Sequence, residues 1–326
     1  KNKSHNNIHP KVKLLLSTSG TTGSPKFVKL SEENIIENAK SIIDYLPIVK
    51  KDVTPLNLPF YYSYGLSVLH SNAMVGANIV CGVSDILQRE FWSELTEHGF
   101  TSIAGVPYVY EMLNRVGFRK KQYPSIKYCT QAGGNLNKKT KELFLSYFTE
   151  NHIDFYVMYG QTEATARISF VPPQKLASNI TSIGIPISNG NLEIDTVTNE
   201  LLYKGPNVFG GYSERVDDLT LWEEINLLHT GDLAVEKEGF FYITGRLKRF
   251  IKIFGNRVNL DEIETILKNN FSNVLFAALG LHDKTLIITV NDERLMAKNI
   301  KDFIQECLKI HPSVVKVIYL EVFPLT

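Results

Sequence analysis

The sequence predicts an α/β protein: a large N-terminal portion built on a parallel α/β sheet with a small β-rich subdomain, then a small α+β C-terminal portion. Three observations predict it. Short apolar runs alternate with helix-like stretches up to Phe148, and strands alternating with helices form parallel sheets. Two runs end in Gly105-Val106-Pro107 and Ala132-Gly133-Gly134, at the carboxyl ends of strands, where such sheets bind ligands. Beyond Glu200 the pattern turns to strands and turns, and beyond Lys248 to a short mix of helices and strands.

The elements follow in order. Val12 to Leu16 reads as a short buried strand and Phe27 to Leu30 as a second. Ser31 is an N-cap, with Glu32 and Glu33 favourable in the first turn. Ile35, Ile36, Ala39, Ile42, Ile43 and Leu46 follow at helical spacing until Pro47 stops the run. Leu56 to Gly65 is an aromatic segment, and Ala73 to Val83 a small-residue turn running into a strand. A helix spans Ile86 to His98, a strand Phe100 to Pro107, and a further helix starts near Tyr108. Ile126 to Gln131, the helix Asn137 to Phe148 and the strand Ile153 to Met158 repeat the alternation. After Lys248 come a helix from Asp261 to Lys268, strands at Leu275–Leu281 and Thr285–Val290, a helix Ile300–Ile310 and a strand Val314–Leu320.

Composition excludes several classes. The 326 residues carry a formal charge of +1, with 44% hydrophobic and 21% charged residues, ordinary for a globular enzyme of two domains. Near-neutral charge offers nothing to nucleic acid. No apolar run approaches the ~18 residues of a membrane span. Cys81, Cys129 and Cys307 are scattered, without a CxxC pair, which predicts a reduced, cytoplasmic setting and small buried thiols.

Ser17-Thr18-Ser19-Gly20-Thr21-Thr22-Gly23-Ser24-Pro25-Lys26 joins the first two strands. Glycines let backbone N–H groups approach an anion, successive N–H groups form a nest, hydroxyls add donors and Lys26 adds charge. The spacing of Gly20 and Gly23 and the Pro25 before the lysine exclude a Walker A loop. A polar surface loop is the plain alternative. Tyr159-Gly160-Gln161-Thr162-Glu163 follows a strand: an aromatic stacks on a purine, a threonine bonds a phosphate oxygen, a carboxylate holds Mg²⁺. The plain reading is a strand end and a helix start. Asp232, in His229-Thr230-Gly231-Asp232-Leu233, either accepts two ribose hydroxyls or stabilises a turn.

These blocks, in this order and over nearly the whole chain, resemble the AMP-forming adenylate ligases: acyl- and aryl-CoA synthetases, carrier-protein adenylation domains and firefly luciferases. The resemblance implies ATP/AMP and Mg²⁺ as ligands, a small carboxylic acid as substrate, and CoA or the phosphopantetheine of an acyl carrier protein as the thiol. It makes Ser17 to Lys26 the phosphate loop, with Ser17, Thr18, Ser19, Gly20, Thr21, Thr22 and Gly23 cradling phosphate and Lys26 catalytic. It puts Tyr62, Tyr64, Gly65 and Gly105 at the acid pocket and Gly133 and Gly134 near adenine. Tyr159 flanks adenine in the motif it shares with Gly160 and Gln161, Thr162 meets the α-phosphate and Glu163 holds magnesium. Asp232 takes the ribose, Arg246 makes a second ribose or phosphate contact, and Lys248 is the hinge between domain 1–247 and domain 248–326, a small mobile α+β C-terminal lid. Ile253 to Glu264 resembles the loop of the thiol tunnel.

The match departs in three places. CoA ligases often carry His where Tyr62 stands. No acidic residue lies between Leu56 and Gly65, which disfavours an α-amino acid, whose ammonium would be buried without a partner. The family has a long segment before the phosphate loop and a Gly-Lys segment, with a catalytic lysine, after a Pro-x-Thr stretch like the final Pro324-Leu325-Thr326. The expectation is a longer natural chain, with weak adenylation by these 326 residues alone. Amino-acid loading of a carrier protein and a non-catalytic nucleotide-binding protein are the alternatives.

Overall fold

The structure, a computed structural model, describes residues 8–17, 26–247, 249–253, 256–271, 274–281 and 285–320. It is a mixed α/β fold of two compact units. The first takes Lys1–Glu193, Leu202–Thr230 and Glu236–Tyr242, the second Ile194–Leu201, Gly231–Val235 and Ile243–Thr326.

A five-stranded sheet centres the first unit, in the order Ser102–Gly105, Tyr128–Gln131, Asp154–Tyr159, Ser169–Val171, Ile185–Pro186. The first three strands are parallel, with Ile103 opposite Cys129 and Cys129 opposite Phe155. The last two are antiparallel, so the sheet is mixed where the sequence predicts a parallel one. The reason is local: after Tyr159 the chain turns through the short 3₁₀ segment Thr162–Ala164, with no crossover helix, and a direct return can only pair antiparallel.

The parallel strands are buried on both faces, which is why they read as mainly apolar runs, with Ser102, Thr130 and Gln131 buried among them. Ile103, Cys129 and Phe155 face a core with Phe91, Phe100, Tyr110, Phe144 and Phe148. Ala104, Tyr128 and Tyr156 face Ile42, Leu46 and Tyr64. This alternation, in which successive strand residues point to opposite faces, places helices Arg89–His98, Pro107–Arg115 and Lys138–Glu150 with the first set, and Glu32–Tyr45 and Ser63–Val75 with the second.

Helix Glu32–Tyr45 starts where the sequence places it. Asn34 N–H donates to Ser31 Oγ at 3.1 Å, and Ser31 N–H donates back to Asn34 Oδ1 at 2.9 Å, a reciprocal cap. The helix predicted from Ile86 begins instead at Arg89, because Asp85 takes the preceding residues into a turn: Leu87 N–H donates to its carboxylate and Gln88 N–H to its carbonyl, each at 2.8 Å. Helix Ser63–Val75 has no counterpart in the sequence reading. Its buried positions mix Tyr64 with Ser67, Ser71 and Asn72, so no apolar stripe marks it. Their polar groups turn back on the helix: Ser67 Oγ donates to Tyr64 O at 2.7 Å, Ser71 Oγ to Ser67 O at 2.8 Å, Asn72 Nδ2 to Val68 O at 2.9 Å. Gly76, at φ 74°, ends it.

The first predicted strand is Leu14–Ser17, paired antiparallel with Phe27–Leu30 and half-exposed rather than buried. It lies at the edge of a three-stranded sheet whose far strand is Tyr212–Ser213. The thiols also depart from expectation: Cys129 is buried, whereas Cys81 and Cys307 are exposed. A four-stranded sheet follows the order Asn191–Ile194, Glu200–Lys204, Leu228–Lys237, Phe240–Arg246.

In the second unit, the antiparallel pair Phe250–Ile253 and Asn256–Asn259 leads into helix Leu260–Asn270. A sheet of Phe276–Leu281, Thr285–Val290 and Val315–Tyr319 follows, its parallel pair bridged by helix Ala297–Leu308. Ile263, Leu267, Phe276, Leu286, Ile288, Ile300 and Ile304 form its core. Arg249 ties the helix down through ion pairs with Asp261 and Glu264 and a 3.0 Å bond to Ala278 O. Among the described residues, no helix is long and apolar enough to cross a membrane, and no group of three His, Cys, Asp or Glu gathers as a metal site.

Candidate functional site

Strand Asp154–Tyr159 delivers the Tyr159–Glu163 motif at its carboxyl end. Gly160 is required there by space: a Cβ would stand inside the carbonyl oxygen of Ala166. The turn closes at Thr165, whose φ of 63° is a left-handed value on a β-branched residue. Buried Asn207 holds that turn. Its Nδ2 donates to Ala164 O and Arg167 O, both at 2.8 Å, its carbonyl accepts Thr165 Oγ1 at 2.7 Å, and its Oδ1 accepts Tyr203 OH at 2.8 Å.

Within this frame Thr162 and Glu163 are half-buried. Thr162 Oγ1 donates to Ser63 Oγ at 3.4 Å. The Glu163 carboxylate accepts the Tyr212 hydroxyl at 2.8 Å, and its backbone carbonyl accepts Phe209 N–H at 2.9 Å. Partial burial and then the Glu163 charge raise the Tyr212 phenol above its ordinary value, which keeps it a donor. Lys26 lies 5.8 Å from the centre of the Tyr212 ring and pairs with Glu214 at 2.7 Å. Tyr212 thus joins the lysine that closes the glycine-rich loop to the carboxylate of the second motif. Ser17 is exposed at the end of its strand, and Thr18, Ser19, Gly20, Thr21, Thr22 and Gly23 lie outside the described residues. Gln161 Nε2 is buried without a hydrogen-bond partner among the described residues, a donor suited to an acceptor on a bound nucleotide.

At the segment assigned to the acid, Tyr62 is half-buried and stands against Gly133, where a Cβ would meet its hydroxyl. Gly133 and Gly134 are exposed, and Gly134 O accepts Gln131 Nε2 at 2.9 Å. Gly65 packs against the carbonyls of Leu58 and Pro59, and Gly105 against the Tyr110 ring. Tyr64 is buried, with its hydroxyl 2.7 Å from Thr130 Oγ1.

In the second unit, Asp232 is buried and pairs with Arg246 Nε at 3.1 Å. Gly231 N–H donates to Glu200 Oε1 at 2.9 Å and Arg246 N–H to Asp261 Oδ2 at 2.9 Å. Lys248 lies outside the described residues.

A family model described as AMP-binding enzyme matches residues 7–213. The chain belongs to this family. A 2-succinylbenzoate–CoA ligase of Bacillus cereus is 29% identical over 282 residues, covering 82% of this chain and 57% of that protein. One of Bacillus mycoides is 30% identical over 281 residues, covering 83% and 57%. An oxalate–CoA ligase of Arabidopsis thaliana is 24% identical over 285 residues, covering 83% and 55%. The chain therefore spans a little over half the length of these relatives, 57% in the first. The o-succinylbenzoate CoA synthetase of Bacillus subtilis, solved with an acyl-adenylate intermediate, superposes with a TM-score of 0.78 at 24% identity, covering 95% of this chain and 66% of that one. An A-PCP structure with phenylalanyl-adenylate gives 0.74 at 22%, covering 96% and 55%. The fold is that of the AMP-forming ligases.

For this AMP-binding enzyme, four residues around the site escaped the sequence reading: Ser63, Asn207, Tyr212 as a partner of Glu163, and Arg167. Asn207 and Tyr212 meet the Tyr159–Glu163 turn across long separations: Asn207 reaches Ala164 from 43 residues away and Tyr212 reaches Glu163 from 49. Arg167, between Thr165-Ala166 and Ile168-Ser169, leaves no signal in the sequence, and only its burial sets it apart. Tyr212→Phe keeps the ring beside Lys26 and removes the donor to Glu163. It is expected to slow magnesium-dependent ATP–pyrophosphate exchange about 10-fold and to raise the magnesium concentration needed for half-maximal exchange, with Tm nearly unchanged.

Proposed function

We propose that the protein activates a small carboxylic acid with ATP and passes the acyl group to the thiol of CoA. The observation that carries this reading is the Glu163 carboxylate, accessible at the carboxyl end of a parallel strand and held by Tyr212 beside Lys26. The residues fit a magnesium–nucleotide: one accessible carboxylate, the hydroxyl of Thr162, the ammonium of Lys26 and Gln161 Nε2, a donor without a partner among the described residues. Mg²⁺, when bound, supplies charge neutralisation on the phosphate oxygens.

The chemistry assigned to the chain's own groups is as follows. A carboxylate oxygen of the acid bonds to the α-phosphorus of ATP, and pyrophosphate leaves. Lys26 and the loop it closes neutralise the departing phosphates, and Thr162 holds an α-phosphate oxygen. The thiol sulfur then bonds to the acyl carbon and AMP leaves, with the thiol proton lost to solvent. From the resemblance, Asp232 remains assigned to the ribose hydroxyls and Arg246 to a second ribose or phosphate contact. CoA is favoured over a carrier protein because the relatives that align over most of this chain are named CoA ligases. An α-amino acid is disfavoured by the absence of any acidic side chain from Leu56 to Gly65.

ATP–pyrophosphate exchange by the full-length protein, with magnesium and a panel of aryl, fatty, dicarboxylic and amino acids, tests this. Exchange confined to one class of acid, followed by CoA-dependent AMP release, is expected. Tight nucleotide binding with no exchange for any acid would mean that the protein binds nucleotides without activating acids.

A further inference from the structure

One short stretch of chain engages two of the groups assigned to the phosphates and the metal. The Tyr212 hydroxyl donates to Glu163 at 2.8 Å, and two residues on, the Glu214 carboxylate pairs with Lys26 at 2.7 Å. The stretch is anchored on both sides. Tyr212 and Ser213 pair antiparallel with Val28 and Phe27, the residues that follow Lys26. Beyond them, Asp218 Oδ2 accepts Glu214 N–H at 2.8 Å and Arg215 N–H at 2.9 Å. These backbone bonds hold the Asp218 carboxyl below its ordinary value, so it stays an anion and keeps both bonds.

The fold makes no other use of the Glu214 side chain. Among the described residues its carboxylate has no partner besides Lys26, and the turn uses only its N–H. Lys29 cannot take the place of Lys26, because it is buried and donates to the carbonyls of Asp218 and Leu221. The Lys26 and Glu214 side chains are 43% and 50% exposed. An ion pair so open to water is weak and opens at little cost. A polyphosphate brings several negative charges to the same ammonium and so displaces a single carboxylate. Glu214 is then left beside those phosphates with like charge. Like charges held so close repel, and more strongly at low ionic strength.

We propose that Glu214 is an internal competitor for Lys26: its carboxylate holds the ammonium between turnovers, yields it to the departing phosphates of ATP, and takes it back as pyrophosphate leaves. This rests on the reading of Lys26 as a phosphate-binding group. The result is weaker ATP binding and faster release of pyrophosphate.

The test is calorimetric binding of magnesium–ATP, magnesium–pyrophosphate and AMP to the full-length protein at low and high salt, with ATP–pyrophosphate exchange measured in parallel. Glu214→Gln and Glu214→Ala should each bind ATP and pyrophosphate about 5-fold more tightly at low salt, the scale of an exposed ion pair, and the gain should shrink at high salt. AMP, which lacks the departing phosphates, should bind as it does to wild type. In exchange, KM for ATP should fall and pyrophosphate should inhibit at lower concentration. Glu193→Gln is the control for charge alone, since it removes a carboxylate from a comparably exposed pair with Lys204. It should leave all three affinities unchanged. Tighter ATP and pyrophosphate binding without exchange for any acid would uphold the competition while removing the ligase reading. Weaker binding of both by the Glu214 variants would overturn it, showing that the carboxylate orients Lys26 toward phosphate. Unchanged affinities, or an equal gain for AMP or in Glu193→Gln, would overturn it as well, and exchange by the same protein would leave the ligase reading standing.

Discussion

Glu163→Ala is expected to lower magnesium-dependent ATP–pyrophosphate exchange by about 10²–10³-fold, the size of effect that follows loss of a group stabilising transition-state charge. The side chain is half-buried and makes one hydrogen bond, from Tyr212. The backbone bond from Phe209 N–H to Glu163 O does not depend on it, so the turn should survive, with a stability change within about 0.5–1 kcal/mol. Glu163→Gln sharpens the result. It keeps an acceptor for Tyr212 and removes only the charge. If the carboxylate holds magnesium, glutamine should be nearly as damaging as alanine, and added magnesium should rescue neither. If Glu163 merely orders the turn, glutamine should behave as wild type, and the metal assignment would be lost.

Gly160→Ala should be the most damaging single methyl group in the first unit's site. The new Cβ would lie inside the Ala166 carbonyl oxygen and close to Arg167 Cα, both backbone atoms between the Ala164 and Arg167 carbonyls that Asn207 holds. No side chain can swing away, so relief requires moving the strand end that carries Thr162 and Glu163. A loss of about 2–4 kcal/mol of stability is expected, within the range of strain at a special backbone position. Gly239→Ala is the control: its φ is 78°, but nothing lies within 4 Å of its Cβ, so it should cost about 1 kcal/mol. Thermal unfolding of both variants separates close packing from backbone strain. Equal Tm losses would show that the space beside Gly160 is not what fixes the residue.

The alternation that predicts the fold class is visible because each parallel strand is sealed on both faces, so Ile103, Ala104, Cys129 and Phe155 stand out as apolar runs between the helices. Ser31 is legible as a cap because its partner Asn34 is three residues away. Local physics reaches the sequence directly. Helix Ser63–Val75 does not, because its buried serines satisfy themselves within the helix and so imitate a polar segment. The return strand Ser169–Val171 could not be oriented in advance, since its direction follows from the missing crossover. For the candidate site, chain order and motif spelling supply the residue types, but the meeting of Tyr212 with Glu163 and Lys26 belongs to tertiary structure.

The first helix and the strand before it make a further point about how such a chain must be born. Asn34 Nδ2 donates to the carbonyls of Pro206 and Val208 at 2.7 and 2.9 Å, and buried Lys29 donates to those of Asp218 and Leu221 at 3.2 and 2.9 Å. These partners lie 172 to 192 residues downstream. At a synthesis rate of about 5–20 residues per second, they reach the ribosome exit roughly 10–40 seconds after the groups they satisfy. Throughout that interval the emerged segment carries an ammonium and a carboxamide that lack their protein acceptors. The early segment therefore waits in a water-exposed state, and closure of this part of the first unit is a late, chain-length-dependent event of translation.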